Sequence, residues 1–592
     1  MIKVRLNRQT FQYDVHSLVR AFYPREEVRV DCSQAVIPAA ETCEDCPETS
    51  ALAAEACADS GEVAHPGAEA RADCGGAPAL GQESLDEVLF ELEICFTTLA
   101  ENANIDSICL PSAQDDGKNS SLSHLVIRLL HHSSEILHME SRCQESDRTE
   151  TKNEMKRLLY RLLSTYSGRK LPWGDLTGIR PTKIPMGLLR QGKSDSEIAD
   201  YMQSTYYTSP EKSALAIEIA NRELALLKKL RSRCAVDAEE AMPGGCLTGQ
   251  SEGGMPALSS EDQREAGVSD LPEGYSLYIG IPFCPSICLY CSFSSSPIAL
   301  WRDQVDQYLD ALCHEIDCVA AMLPHRHPDA IYIGGGTPTT LEPAQMDRLL
   351  LKLEEHFDVK GALEFTVEAG RPDSITEEKL LVLKHHGVTR ISINPQTMNQ
   401  ETLDFIGRRH TTEQTREAFY LARKLGFDNI NMDLIVGLPG EGAREVEHTM
   451  QEISAMDPES LTVHSLAVKR AARLRLFSEE HQELSFENSS EIMDMAAAYA
   501  KNAGLYPYYL YRQKNMAGNF ENVGYAKKGC EGLYNILIME EIQSIIALGA
   551  GAATKLKRPG NRIERIENVK DIRNYIGRID EMIARKKKGL YE

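Results

Sequence analysis

Cys284, Cys288 and Cys291 fall within eight residues of one another in the stretch Tyr278-Ile-Gly-Ile-Pro-Phe-Cys-Pro-Ser-Ile-Cys-Leu-Tyr-Cys291. Thiolates so spaced, on a loop after a β-branched and aromatic run, can hold three corners of a four-iron cluster. Such clusters usually take four cysteine ligands, so a close triplet leaves one iron free to bind substrate or cofactor. A zinc knuckle is the competing reading, but zinc normally recruits four ligands, often as two separated pairs. No partner pair follows this loop at a suitable distance. Downstream, Gly334-Gly-Gly-Thr-Pro338 offers three consecutive glycines that let the backbone pass close to a ligand without a Cβ clash. A tight turn would use the same residues, and the Lys-Ser/Thr of a phosphate loop is absent. Glu368, in Phe365-Thr-Val-Glu-Ala369, can accept hydrogen bonds from an ammonium or hydroxyl group, or form an ordinary surface ion pair. Gln396 follows, and twelve residues later comes Arg408 in Ile406-Gly-Arg-Arg-His410. A guanidinium can hold a carboxylate bidentately, and Arg409 is the adjacent alternative for that role. Asp433 and Ile435 lie in Asn431-Met-Asp-Leu-Ile-Val-Gly-Leu-Pro-Gly440.

These residues need a frame, and from Leu277 the chain alternates strand and helix patterns. Strands are expected at Leu277–Ile281, Ala330–Ile333, Leu363–Val367, Arg390–Ile393, Ile430–Val436 and Leu461–Leu466. Amphipathic helices lie between them, as at Gln304–Met322, where Val305, Leu309, Leu312, Ile316 and Val319 share a face. Six βα repeats predict parallel strands joined by right-handed crossovers. The motifs fall at the carboxyl ends of these strands, where barrel active sites are built. The expected fold class is α/β, a partial (β/α)6 barrel over 271–470. An N-terminal α+β and helical region (1–38 and 83–232) precedes it, and a mainly helical C-terminal domain (471–592) follows. Within the N-terminal region the pattern predicts a strand at Ile2–Leu6 and helices around Val15–Phe22, Lys152–Tyr166 and Ser196–Leu230.

The 592 residues carry a net charge of −24. The length corresponds to about four domain-sized units. The acidic balance argues against general nucleic-acid binding, which leaves a basic footprint. No run of eighteen apolar residues signals a membrane span, and the opening Met-Ile-Lys-Val-Arg-Leu-Asn-Arg reads as a strand rather than a signal region. The sixteen cysteines are therefore expected in a reducing cytoplasm, as metal ligands or buried small hydrophobes. Residues 39–82 turn to Ala, Glu, Gly, Pro and Cys with almost no large apolar side chains. Such a stretch cannot bury enough surface to offset its ordering entropy, and it is expected to be a disordered acidic insertion with Cys43, Cys46, Cys57 and Cys74 free. Residues 233–270 read as a polar, Gly-rich linker.

The cysteine triplet and the ordered strand-end motifs resemble those of the radical S-adenosylmethionine (SAM) enzymes. Among these, they resemble the oxygen-independent coproporphyrinogen III oxidase family and its heme-chaperone relatives. Trp173-Gly-Asp-Leu-Thr-Gly-Ile-Arg-Pro-Thr-Lys183 and Tyr506-Pro-Tyr-Tyr-Leu-Tyr-Arg-Gln-Lys-Asn-Met-Ala-Gly518 are similar to the HemZ-type coproporphyrinogen dehydrogenase branch. The chain departs from the better-known oxidases at Gly280, where they commonly carry histidine, at Ser292 and at Asn394-Pro395-Gln396. The resemblance implies a radical SAM barrel with a 4Fe–4S cluster on Cys284, Cys288 and Cys291. It also implies a SAM cofactor contacted by Gly334, Gly335, Gly336, Thr337, Glu368, Gln396, Arg408, Asp433 and Ile435. The implied activity is that of a cytoplasmic oxidoreductase acting on CH–CH groups in porphyrin and heme biosynthesis. A 5′-deoxyadenosyl radical would abstract hydrogen from propionates of coproporphyrinogen III, and decarboxylation would yield protoporphyrinogen IX. Tyr278 is the candidate catalytic side chain, with a core aromatic as its alternative.

A tetracarboxylate substrate calls for local cations. Lys469, Arg470, Arg473 and Arg475 after the sixth strand, with Arg512 and Lys514 downstream, are the candidates, although a solvated basic helix face would account for the first four. Lys586-Lys-Lys588 reads as a favourable helix end. The expected partners are the tetrapyrrole, an electron donor and an electron acceptor, with no nucleic acid and a monomeric state. A heme chaperone built on the same barrel is the runner-up. A third reading makes residues 83–232 a protein- or RNA-binding module, with Arg180-Pro-Thr-Lys183 as its positive hint.

Overall fold

The computed structural model describes residues 1–24, 26–32, 88–98, 122–144, 147–240, 274–323, 327–467, 488–513 and 520–591. They form two compact units, Met1–Gly168 and Arg169–Glu592. The insertion expected at 39–82 lies outside the described residues, as does most of the linker expected at 233–270. The helix Pro210–Glu240 continues past the linker's expected start.

In the first unit, β1 (Ile2–Leu6), β2 (Val28–Asp31), β3 (Phe90–Thr98), β4 (Leu122–His131) and β5 (Ser134–Gln144) form one sheet in the order β2-β1-β3-β4-β5. β1 runs parallel to both neighbours, and β3 to β5 form an antiparallel meander. Ile2, Val4 and Leu6 are buried, the alternation of a strand with one face in the core. The helix Arg148–Ser167 starts where Asp147 accepts the backbone N–H groups of Thr149 and Glu150, and it stops at Gly168 in the left-handed region. Its Met155, Leu158, Leu159 and Leu162 are all buried, as their spacing predicts.

In the second unit the strands are β6 (Tyr275–Ile281), β7 (Phe283–Cys284), β8 (Ser296–Pro297), β9 (Ala330–Gly335), β10 (Glu364–Gly370), β11 (Arg390–Ile393), β12 (Ile430–Val436) and β13 (Ser460–Ser465). The six parallel strands β6 and β9 to β13 lie side by side in sequence order. Each sits within three residues of its expected place. They are nearly continuously buried, as parallel strands covered on both faces must be.

The C-terminal stretch corrects one expectation, because it is mixed rather than mainly helical. β14 (Tyr506–Tyr511), β15 (Asn522–Ala526), β16 (Ser544–Leu548), β17 (Ala553–Arg558) and β18 (Arg562–Glu567) join the same sheet. β16 adds a parallel strand beside β6, with β17 and β18 antiparallel beyond it. β15 and β14 continue antiparallel from β13. The sheet thus has eleven strands, and among the described residues no pairing joins its outer strands β14 and β18.

Residues 169–232, grouped above with the N-terminal region, belong to the second unit. Buried Trp173 donates through Nε1 to Glu521 Oε2 at 2.6 Å, and Lys212 Nζ donates to Glu521 Oε1 at 2.6 Å. Arg512 donates to the carbonyl of Leu176 at 2.5 Å, and its guanidinium lies 5.8 Å from the Trp173 ring centroid. Arg180 pairs with Glu541 at 2.5 Å and donates to the carbonyl of Met539. The two flanking stretches that carried the family resemblance therefore pack against each other.

Candidate functional site

β6 ends at Ile281, and β7 then pairs in parallel with β8, Cys284 opposite Pro297. This closes a short loop that carries all three cysteines. Leu289 N–H donates to the carbonyl of Ile406 at 2.9 Å and Ser286 Oγ to that of Gly407 at 3.0 Å, which ties the loop to the Ile406–His410 segment. Cys288 is buried, and Cys284 and Cys291 are half-buried. Burial, followed by mutual repulsion of the thiolates, pushes Cys291 up to about 11, and burial also raises Cys284. Thiols so placed hold their protons at neutral pH, and binding a metal must displace them. Among the described residues no three His, Cys, Asp or Glu side chains converge as a single-ion site would require. Ligands to three different corners of a cluster need no such convergence.

The last of the glycines Gly334–Gly336 lies hard against the cysteine loop. Gly336 N–H donates to Ile281 O and Thr337 N–H to Phe283 O, both at 2.7 Å. A Cβ on Gly336 would stand 2.4 Å from Phe283 O. The exit of β9 is thereby pressed onto the cysteine loop, and Thr337 Oγ1 donates to Cys284 Sγ at 3.6 Å. Gly280 is similarly crowded: Tyr308 donates to its carbonyl at 2.7 Å, and a Cβ would meet Leu548 O at 3.3 Å.

Glu368, at the end of β10, accepts a hydrogen bond from Tyr332. Burial is the main force on its carboxyl, with Asp433 adding to it, and pushes it up to about 7. Tyr278 stacks near Tyr332 and Tyr534, with ring centroids 6.2 and 6.3 Å away, and burial raises its phenol. Asp433 is half-buried, and His464, Asn431 and Thr462 outweigh the effect of burial and hold its carboxyl below the usual range. Gln396 adopts a left-handed φ of 71°. Its backbone takes Asp433 O and serves Ile435 N–H, both at 2.9 Å, so it is clamped to β12. Ile435 packs with Leu403, Ile406, Leu438 and Leu466, with Tyr290 against the same cluster.

Arg408 is buried and Arg409 exposed. Arg408 donates to Tyr290 Oη at 2.9 Å and to Asn394 O at 2.6 Å. Arg408 Nε and Gln396 Oε1 are buried with no hydrogen-bond partner among the described residues. A polar ligand would satisfy both orphaned atoms, since buried polar groups are otherwise almost always paired.

Two residues here escaped the sequence reading. Arg371, just past β10, reaches Cys288, and fully buried His410 leaves both ring nitrogens without a partner among the described residues. The signal for Arg371 was its place three residues after Glu368 at a strand end. Two other expectations change. Arg512 is buried beneath Trp173, where burial brings its guanidinium down to about 10, and it is part of the fold rather than a substrate contact. Lys586 is fully buried and paired with Glu315 at 2.7 Å, so the basic helix end falls to Lys588, in the last turn of the helix Ile579–Tyr591. Lys469, Arg470, Arg473, Arg475 and Lys514 lie outside the described residues.

An open α/β sheet with a cysteine triplet beyond its first parallel strand is the arrangement of a radical SAM protein, and the Radical SAM superfamily profile matches residues 278–453. The chain is 40% identical over 445 residues to an oxygen-independent coproporphyrinogen-III oxidase-like protein HemZ of Bacillus subtilis (strain 168), covering 74% of this chain and 81% of the relative. It is 33% identical over 316 residues to the heme chaperone HemW of the same organism, covering 52% of this chain and 76% of that one. A solved structure of coproporphyrinogen III oxidase (HemN) from Escherichia coli aligns with a TM-score of 0.44 at 23% identity, over 55% of this chain and 74% of that one. The chain belongs to the radical SAM superfamily, in the family of HemZ-type coproporphyrinogen oxidase-like proteins. The cofactors of this superfamily are a 4Fe–4S cluster and SAM, and the thiol triplet and the two orphaned polar atoms fit them. No helix among the described residues is long and apolar enough to cross a membrane.

Proposed function

We propose that this protein carries out the oxygen-independent oxidative decarboxylation of coproporphyrinogen III to protoporphyrinogen IX. The carrying observation is the extent of the HemZ likeness. At 445 residues it is longer than everything from β6 to the end of the chain, so it takes in upstream residues as well. In this reading Cys284, Cys288 and Cys291 hold the cluster. When bound, the cluster and SAM supply an electron at low potential and a radical that takes a hydrogen atom from a propionate side chain. Arg408, already fixed by Tyr290 and the carbonyl of Asn394, turns its remaining N–H donors toward the SAM carboxylate. Gly334 to Thr337 present backbone at the same strand ends, and Glu368 accepts from the cofactor's ammonium or hydroxyl groups. Asp433 takes ribose hydroxyls, with Gln396 beside it and Ile435 against the adenine. Tyr278, Tyr332 and Tyr534 line the buried interior and exclude water from the reacting carbon. The reaction also calls for an electron donor and an acceptor.

The HemW likeness supports a second reading, a heme carrier on the same frame. Reconstituted, reduced protein should be incubated anaerobically with coproporphyrinogen III, SAM and an electron acceptor while carbon dioxide and protoporphyrinogen are followed. Release that depends on SAM and is lost in Cys288→Ser is expected. Stoichiometric heme binding with no turnover across several reductants and acceptors would move the assignment to the carrier.

A further inference from the structure

Arg371 is a buried cation whose direction is fixed. Its Nε and Nη2 donate to Asp373 Oδ1 and Oδ2 at 2.9 and 2.8 Å, a two-pronged pairing that orients the guanidinium plane. A turn holds both residues in place, with Arg371 N–H on Ala369 O and Ser374 N–H on Arg371 O. Nη1 is left facing the cysteine loop, where it donates to Ser286 Oγ at 3.1 Å and to Cys288 Sγ at 3.7 Å. His410, its buried neighbour, is kept neutral by burial and by the charges of Arg408 and Arg371. It therefore adds no second positive charge and does not draw Asp373 away.

We propose that Arg371 sets the reduction potential of the cluster, by placing a fixed positive charge and an N–H donor on the sulfur of Cys288. This rests on the reading that Cys284, Cys288 and Cys291 carry that cluster. Reduction adds negative charge to the iron–sulfur core and its thiolates. A cation held nearby in a low-dielectric site favours the reduced state, and hydrogen bonds to ligating sulfur are a recognised lever on cluster potential. Asp373 acts in the opposite sense, since its carboxylate offsets part of the Arg371 charge. The pair forms a balance on one ligand, and its cationic arm is the one in contact with sulfur. A milder one-electron donor can then reduce this protein than would serve without Arg371.

The test is an anaerobic redox titration of reconstituted full-length protein, followed by electron paramagnetic resonance, with iron content measured first. Arg371→Gln should lower the potential by on the order of tenfold in the reduction equilibrium, about 59 mV for a one-electron couple. Asp373→Asn should shift it the other way. Both changes break the same ion pair, so a merely structural role would move the potential in one direction for both. Shifts of the same sign, or no shift in either variant, overturn the proposal. If Arg371→Gln fails to hold iron, the sign of the Asp373→Asn shift decides alone. Wild-type protein that binds no iron would instead overturn the cluster reading, and this inference with it.

Discussion

Arg408 and Arg409 are neighbours of the same chemistry, yet only Arg408 is turned inward, because the Leu403 carbonyl takes its backbone N–H and the Tyr290 and Asn394 oxygens take its side chain. Arg408→Ala should weaken SAM binding to the cluster-loaded protein by about 1.5–3 kcal/mol, the range for hydrogen bonds to charged groups. Calorimetric titration reads this as a roughly ten- to hundredfold rise in Kd. Arg409→Ala should leave Kd unchanged, and the reverse ranking would mean the carboxylate is held elsewhere. Glu368 makes a pH prediction. Its carboxyl, pushed up to about 7 by burial, is largely protonated below pH 7 in the free protein. A cationic or donor group docked against it favours the ionised form and lowers its pKa. SAM binding at pH 6–7 should therefore release a proton, and the release should fade as pH rises above 7. Calorimetry in buffers of different ionisation enthalpy measures this, and Glu368→Gln should abolish it. The cysteine loop was legible from spacing within one short segment, and the inward place of Arg408 from the twelve residues that separate it from Gln396. Arg512 was not, because a basic residue in an aromatic run looks the same whether it faces a substrate or lies buried under Trp173.

At the scale of elements, the six βα repeats were legible from periodicity alone, since each strand is a short apolar run followed by an amphipathic helix. β14 to β18 were not. Tyr506–Tyr511 drew notice as a motif rather than as a strand, and the charged alternation of Arg562–Glu567 has little apolar signal. Long-range packing decides these elements. Glu315, on the helix Val305–Met322, accepts from Lys586 Nζ at 2.7 Å, Asn568 Nδ2 at 2.8 Å, Tyr575 Oη at 2.6 Å and Gly549 N–H at 2.8 Å. One fully satisfied carboxylate thus fastens a barrel helix to the C-terminal elements. Removing a single partner leaves a buried charge uncompensated. Lys586→Met should therefore destabilise the fold by about 3–5 kcal/mol in chemical denaturation. The double variant Glu315→Met/Lys586→Met should recover part of that loss, because it removes the uncompensated charge while leaving Gly549 N–H and Tyr575 Oη without their acceptor. A double variant as unstable as the single one would place the stability in the other contacts of Glu315.

For the whole molecule, composition and structure divide the chain at different places, and the difference can be measured. The polar stretch at 233–270 suggested that the catalytic part begins at 271, since a low-complexity segment is the visible sign of a boundary. The structure instead groups Arg169 onward into one unit. The bonds responsible, Trp173 to Glu521 and Lys212 to Glu521, span 348 and 309 residues, so no local pattern announces them. A chain beginning at Arg169 retains every candidate site residue and all three members of that network. It should fold, melt cooperatively and take up iron on reconstitution as the full chain does. A chain beginning at Leu271 loses Trp173, Lys212 and the Leu176 carbonyl that accepts from Arg512, and it strands the buried carboxylate of Glu521. Losing the charged partner of a buried ion costs about 3–5 kcal/mol, a large share of the roughly 5–15 kcal/mol that holds a native domain together. The shorter chain should be poorly soluble, or melt well below the longer one, and bind iron substoichiometrically. Equal melting temperatures and iron content for the two truncations would show that the upstream clamp is dispensable and that the compositional boundary is the physical one.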